Sequence, residues 1–198
     1  MRRITVDLPR YSALVICGGL FLLGLLAVGG CSNVVSEPPA STPGGVLETS
    51  RARYDAELQT DGYARWVVDV PYVTRNTTAD TLVLIGCNTP PQPILEKRVE
   101  GAWRTAYDPV RRGCLSPPWT LAPGETRRDT LHVSAALPGQ NWAPVFNADE
   151  IEGTYRLNRE IHRKTGTKTA DALIPPTELL SPEKRVSNPF ELEGVSGR

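Results

Sequence analysis

The chain has 198 residues, 22 Lys or Arg against 22 Asp or Glu, 40% hydrophobic and 7% aromatic residues. This charge balance argues against a nucleic-acid binder, which carries a basic excess on one face. Eighteen Pro and seventeen Gly indicate turn-rich structure without a collagen-like period, and the length accommodates one export segment and one domain.

After Met1-Arg2-Arg3 and Arg10, the stretch from Tyr11 to Gly30 is uncharged and contains the apolar block Leu20-Phe21-Leu22-Leu23-Gly24-Leu25-Leu26-Ala27-Val28. A basic start followed by an apolar run is a secretion signal, although a run of about 20 residues is also long enough for an uncleaved anchor helix. The run ends in Val28-Gly29-Gly30-Cys31, with small residues at the two positions before the cysteine. This resembles the lipobox of bacterial lipoproteins and departs from its usual form only in the Gly at the middle position. The resemblance implies that residues 1–30 are a cleaved signal peptide, that Cys31 carries lipid, and that the membrane is a partner through that lipid. Ser32 stands where an Asp would retain such a protein in the inner membrane, which implies the outer membrane where the cell has one. Both readings place the folded part outside the cytoplasm.

Without residues 1–30 the chain holds 19 basic and 21 acidic groups, net −2 with His neutral. Cys17 leaves with the signal and lipid takes Cys31, so Cys87 and Cys114 remain as an even pair in an exported protein, the context that favours a disulfide. Closing a loop of about 27 residues contributes roughly 3–4 kcal/mol on the chain-entropy model. Two free thiols or a two-cysteine metal site are the alternatives, but no His or further Cys stands at ligand spacing. No metal and no cofactor are expected.

Residues 32–50 contain three prolines and no aromatic residue. Such a composition cannot offset its ordering entropy by burial, so residues 31–54 read as a lipidated tether, residues 55–194 as the folded domain and residues 195–198 as a tail. From Arg65, Trp66, Val68, Val70 and Tyr72 alternate with Val67, Asp69, Pro71 and Val73. That is a half-buried strand in which Pro71 indicates an edge or a bulge. After the polar turn at residues 76–80, residues 81–87 read as its antiparallel neighbour. Glu100-Gly101 joins residues 94–99 to 102–107 as a hairpin. The Leu121-Ala122-Pro123-Gly124-Glu125-Thr126 turn enters a strand that alternates Leu131 and Val133 against Thr130, His132 and Ser134. A long loop carrying Trp142 and Phe146 precedes a strand at residues 152–157. The stretch 170–183 reads as one more strand with an inserted loop, and residues 185–193 as a closing strand.

About seven short strands with regular turn signals and no amphipathic helix indicate an all-β antiparallel sandwich. The order of features resembles a bacterial immunoglobulin-like domain family over most of residues 63–193. It runs from a strand ending in Asn76-Thr77-Thr78, through Leu95-Glu96-Lys97 leading to Gly101-Ala102-Trp103 and the Pro-Gly-Glu-Thr turn, to Gly153-Thr154-Tyr155-Arg156-Leu157 and Asn188-Pro189-Phe190-Glu191-Leu192. The resemblance implies a Tyr155 hydroxyl turned back onto a nearby backbone group, as in a tyrosine corner. It also implies Trp66, Trp103, Tyr155 and Leu157 in the core. Leu157 stands where an antibody domain has its second core cysteine, so the usual inter-sheet disulfide is missing.

The two histidines, His132 and His162, read as solvated side chains, and Asp149, Glu150 and Glu152 as a charged loop more readily than as paired carboxylates. Arg111-Arg112 and Arg127-Arg128 are basic pairs interleaved with acids, not a nucleic-acid groove. Trp119, after Pro117-Pro118, and Trp142, before Pro144, are candidate recognition residues, because aromatic residues with prolines on loops are a common composition for binding surfaces. Packing over an end of the sandwich explains them equally well. The expected function is a non-catalytic binding or structural module of the cell envelope with a protein partner. An exported proteinase-inhibitor-like sandwich is the alternative, and a hydrolase stands behind both because no converging polar groups are visible.

Overall fold

The computed structural model describes residues 45–86, 91–110, 116–167 and 174–196. Among these the regular structure is almost entirely β. In chain order the strands are β1 (Leu47–Thr49), β2 (Arg53–Gln59), β3 (Arg65–Arg75), β4 (Leu82–Leu84), β5 (Ile94–Val99), β6 (Ala102–Tyr107), β7 (Trp119–Leu121), β8 (Thr126–Ala136), β9 (Gly153–Asn158), β10 (His162–Lys164), β11 (Thr177–Leu179) and β12 (Phe190–Ser196). One 3-10 turn, Pro182–Lys184, accompanies them.

The two longest strands follow from their alternation. Val68, Val70, Tyr72 and Thr74 of β3 are buried while Asp69 is exposed, and Leu131, Val133 and Ala135 of β8 are buried while His132 and Ser134 are exposed. Period two puts each set on one face, and the antiparallel register sets Val70 opposite Leu131 and Val68 opposite Val133. The hairpin between β5 and β6 turns at Glu100 and Gly101, with φ of 50° and 81°. Positive φ at both central residues is the geometry of a primed two-residue turn.

β8 pairs with β3 along all eleven residues, whereas the other side of β3 is shared by β1, opposite Tyr72–Thr74, and β2, opposite Arg65–Val67. β2 then runs parallel to β12, and β9, β5 and β6 follow in antiparallel order. Because β2 leaves β3 to join β12, the strands divide into a β1-β3-β8 layer and a β2-β12-β9-β5-β6 layer. One buried cluster contains side chains of both, among them Val70 and Leu131 from the first and Leu95, Tyr155, Leu157 and Phe190 from the second. The result is a sandwich-like two-layer arrangement.

The segments that follow β3, precede β8 and follow β9 build a second, smaller sheet, β11-β10-β4-β7. Strands of three residues do not stand alone. Val46, Leu82, Leu84, Leu121, Ile161 and Leu180 give this sheet its own core. Asn76 ties it to the end of β3: its side-chain amide donates to Asp80 O (2.8 Å) and Leu121 O (3.0 Å), and its backbone pairs with Glu125 and Gly124. Asn76, buried at the start of the Asn76-Thr77-Thr78 turn, is thus a staple between the two sheets with both amide hydrogen bonds donated internally.

Four expectations are corrected. The folded unit begins before residue 55: β1 and the start of β2 lie in the stretch read as tether, because Leu47 and Val46 enter the large and the small core respectively. β12 likewise runs through Ser196, into the stretch read as tail. β4 is not a neighbour of β3 but pairs with β10 and β7. Pro71 marks no edge. The N–H and C=O of an extended residue point to the same side, and the Pro71 carbonyl accepts from Ser50 N (3.5 Å) and the Tyr54 hydroxyl (3.4 Å) in the break between β1 and β2. The donor that proline lacks therefore falls where no strand needs it.

Candidate functional site

Tyr155 is fully buried, and its hydroxyl donates to Ile151 O at 2.7 Å. Gly153, at φ 137°, lets the chain turn between the two. Lys97 crosses this turn, donating to Glu150 O (2.7 Å) with its ammonium 5.9 Å from the centre of the Tyr155 ring. Burial, reinforced by the negative charges of Glu152 and Glu191, holds the Tyr155 hydroxyl well above the ordinary tyrosine range. Leu157 is fully buried beside it, and Trp66 packs half-buried against the same core.

Trp103 is not between the layers. Tyr155 and Leu157 take the inward face of β9, so Arg156 points outward with its cross-strand partner Glu96, and by period two so do Arg98 and the opposing Trp103. There the Arg156 guanidinium lies 4.4 Å from the Trp103 ring centre and bonds Glu96 through Nε at 2.7 Å.

The two loop tryptophans have different fates. Trp119 is half-buried against the small core with the Arg127 guanidinium 4.3 Å over its ring, so its role is packing. Trp142 is 58% exposed. It stacks on Tyr63 with centroids 4.7 Å apart and planes 5° from parallel, and the Arg65 guanidinium covers Tyr63 at 5.2 Å. Arg65 is itself held by Gln59 Oε1 (2.7 Å) and Asp61 Oδ1 (3.2 Å). This cation and two-ring stack joins the β2–β3 turn to the long β8–β9 loop.

The loop is fastened at both ends. Leu137 N donates to Ala64 O (3.4 Å), Ala136 N to Pro144 O (3.0 Å), Phe146 N to Ala136 O (2.9 Å) and Asn147 N to Ala106 O (2.7 Å), while the Phe146 side chain is buried in the large core. The same loop walls a cavity of about 540 Å³ lined by Lys97, Arg104, Pro138, Asn147, Asp149 and Glu150 among others. Asp149 and Glu150 are exposed, and Lys97 bonds the Glu150 carbonyl. The arrangement offers a mixed-charge surface with no carboxylate pair drawn into an apolar setting.

His132 lies on the outer face of β8, exposed and 2.7 Å from Asp69 Oδ1, as the alternation predicts. His162 differs: it is half-buried in the small sheet between Glu160 Oε1 (2.9 Å) and Thr177 Oγ1 (3.3 Å), because pairing of β10 with β11 covers it. The two histidines belong to different sheets and do not meet. Among the described residues no group of three or more His, Cys, Asp or Glu is placed to hold a metal. Cys31, Cys87 and Cys114 lie outside the described residues, as do the predicted signal peptide and most of the tether.

No family model, curated protein or solved structure matches this chain. Its function therefore has to be read from the site itself. Tyr63 and Arg65 were not singled out from the sequence; an aromatic residue inside the Asp61-Gly62-Tyr63 turn, two positions before an arginine, was the available signal.

Proposed function

We propose that the chain is an exported lipoprotein, anchored through Cys31, whose folded part is an immunoglobulin-like sandwich acting as a non-catalytic binding or structural module of the cell envelope. The observation that carries the binding role is Trp142, a large exposed ring stacked on Tyr63, over which the Arg65 guanidinium lies. Aromatic side chains with few rotatable bonds lose little entropy on contact and anchor interfaces. The immunoglobulin-like assignment draws support from the strand orders β1-β3-β8 and β12-β9-β5, which correspond to the A-B-E and G-F-C orders of that fold. The Tyr155 hydroxyl bond to a carbonyl four residues upstream supports it as well. The anchor rests on the apolar run that ends in Val28-Gly29-Gly30-Cys31. The mature net charge of −2 argues against a nucleic-acid partner, and the exposed aromatic ring suits a protein partner.

The test is crosslinking capture from cells carrying the anchored protein, comparing the parent with Trp142→Ala and Tyr63→Ala. A crosslinked species lost in both variants, with urea midpoints unchanged, is the expected result. An identical captured set in all three removes the stack from the binding role. The fastening of the β8–β9 loop at both ends also suits a second reading, an exported proteinase inhibitor. Titration against serine and cysteine proteinases separates the two, since only an inhibitor slows them stoichiometrically while its loop stays uncut.

A further inference from the structure

The two cores meet at the end of β3, where the side chains carry a surplus of hydrogen-bond donors. Tyr72 and Thr74 point to the same face of β3, and the register sets them opposite Asp129 and Arg127 of β8. Cross-strand partners project from one face with Cβ atoms about 5 Å apart, so these four side chains form one cluster. Arg159, directly after β9 in the other layer, reaches into it. Its side chain is among the largest fully buried ones in the protein, at 1% exposure. Nη1 donates to Thr74 Oγ1 at 2.9 Å, and the guanidinium carbon lies 5.6 Å from the Tyr72 ring centre.

The rest of this cluster is unsatisfied. Arg159 Nε and Nη2, the Tyr72 hydroxyl and Arg127 Nε are buried without a hydrogen-bond partner, and the nearest ion pair joins Arg127 to Asp129 at 3.8 Å. Arg127 and Asp129 are each about a third exposed, so the charge buried here is that of Arg159, which makes no ion pair among the described residues. The Arg159 backbone is fixed in place by its N–H, which donates to Arg185 O at 3.0 Å. Buried guanidinium donors are costly to leave unpaired. Water would satisfy the donors and leave the excess positive charge, whereas an anion offsets both. The free pair on Arg159 narrows the class: Nε and Nη2 form the side-on edge of the guanidinium, a planar fork that matches two oxygens of one oxyanion and is poorly used by a spherical ion.

We propose that the junction of the two cores binds one small oxyanion, a phosphate or a simple carboxylate, with Arg159 Nε and Nη2 as the fork and the Tyr72 hydroxyl as a third donor. The donors are shielded from solvent, so the anion enters during folding or through opening of the small sheet. The site is separate from the Trp142 stack and does not depend on the binding role argued above.

The test uses the full chain, unfolded and refolded in sodium phosphate, sodium acetate or sodium chloride at matched ionic strength. The expected result is a melting temperature that rises saturably with phosphate or acetate and not with chloride, and which of the two acts identifies the oxyanion. In Arg159→Gln the apparent affinity falls at least tenfold, while Arg163→Gln, an exposed arginine of β10, behaves as the parent. Equal shifts in the parent and Arg159→Gln, or equal shifts with chloride, mean an adventitious ion only and overturn the proposal. Should Arg159→Gln fail to fold, the parent decides alone. Refolded in phosphate or acetate and freed of the excess by gel filtration, the parent retains the anion and releases it on unfolding, and retention of neither anion overturns the proposal.

Discussion

Removing the Tyr155 hydroxyl and then the whole ring separates two contributions that the fold combines at one residue. The ring is fully buried with Phe146 and Phe190 at centroid distances of 6.3 and 6.4 Å. Tyr155→Ala therefore costs about 3–5 kcal/mol, the range for truncating a large aromatic core residue. Tyr155→Phe keeps the ring but leaves the Ile151 carbonyl without its 2.7 Å donor, at about 1–3 kcal/mol. His132→Ala, which removes an exposed side chain, changes stability by less than about 0.5 kcal/mol. Urea unfolding followed by circular dichroism at pH 7 measures all three. The pH dependence gives an internal check. The folded Tyr155 hydroxyl is raised above its unfolded value of 10.0, so its stabilisation is fully present below about pH 10 and is lost as pH rises further, when the unfolded hydroxyl ionises and the folded one cannot. The stability difference between the parent and Tyr155→Phe accordingly shrinks between pH 9 and pH 11. A His132→Ala variant weaker than Tyr155→Ala, or a difference that grows with pH, would refute the tyrosine as the fastening of this turn.

Cys31→Ser abolishes metabolic acyl labelling and leaves the precursor uncleaved; labelling that persists in the variant removes the anchor. A Cys87–Cys114 bridge in the exported protein is proposed from the even pair that remains once Cys17 leaves with the signal and lipid takes Cys31. Non-reducing mass spectrometry finds the linked peptides, and two free thiols in an oxidising compartment count against it. Gly194→Ala destabilises by about 1–3 kcal/mol in thermal or urea melts through overpacking, since its Cβ would fall 2.7 Å from Cγ2 of the buried Ile151 and 2.5 Å from Glu152 Oε1. Glu152→Ala, which clears only the flexible contact, does not rescue it.

Much of the large sandwich was legible because its signals are local. The alternation of β3 and β8 assigns Val70 and Leu131 to the core whatever partner each strand takes, and Glu100-Gly101 carries the conformational preference of its own turn. Tyr155 was readable for the same reason: Gly153 lies two residues upstream of it and the carbonyl it reaches, that of Ile151, four. The candidate site was half legible. Trp142 was identified by its loop, but its partner Tyr63 is 79 positions away and nothing nearby in the sequence distinguishes a stacked ring from a solvated one.

Composition and periodicity determined that this chain makes β-structure, which face of each long strand turns inward, and where the tight turns fall. These follow from backbone sterics and from the water each side chain leaves. Tertiary structure decided the rest. It moved β4 out of the main sheet into the small one, drew Leu47 out of a tether-like stretch into the core, turned Trp103 outward behind Arg156, and buried Arg159 between two cores. A short apolar strand can pair with any edge that offers free backbone groups and an apolar face. Which edge it takes depends on residues distant in the chain, and only the closed packing of both layers brings those residues together.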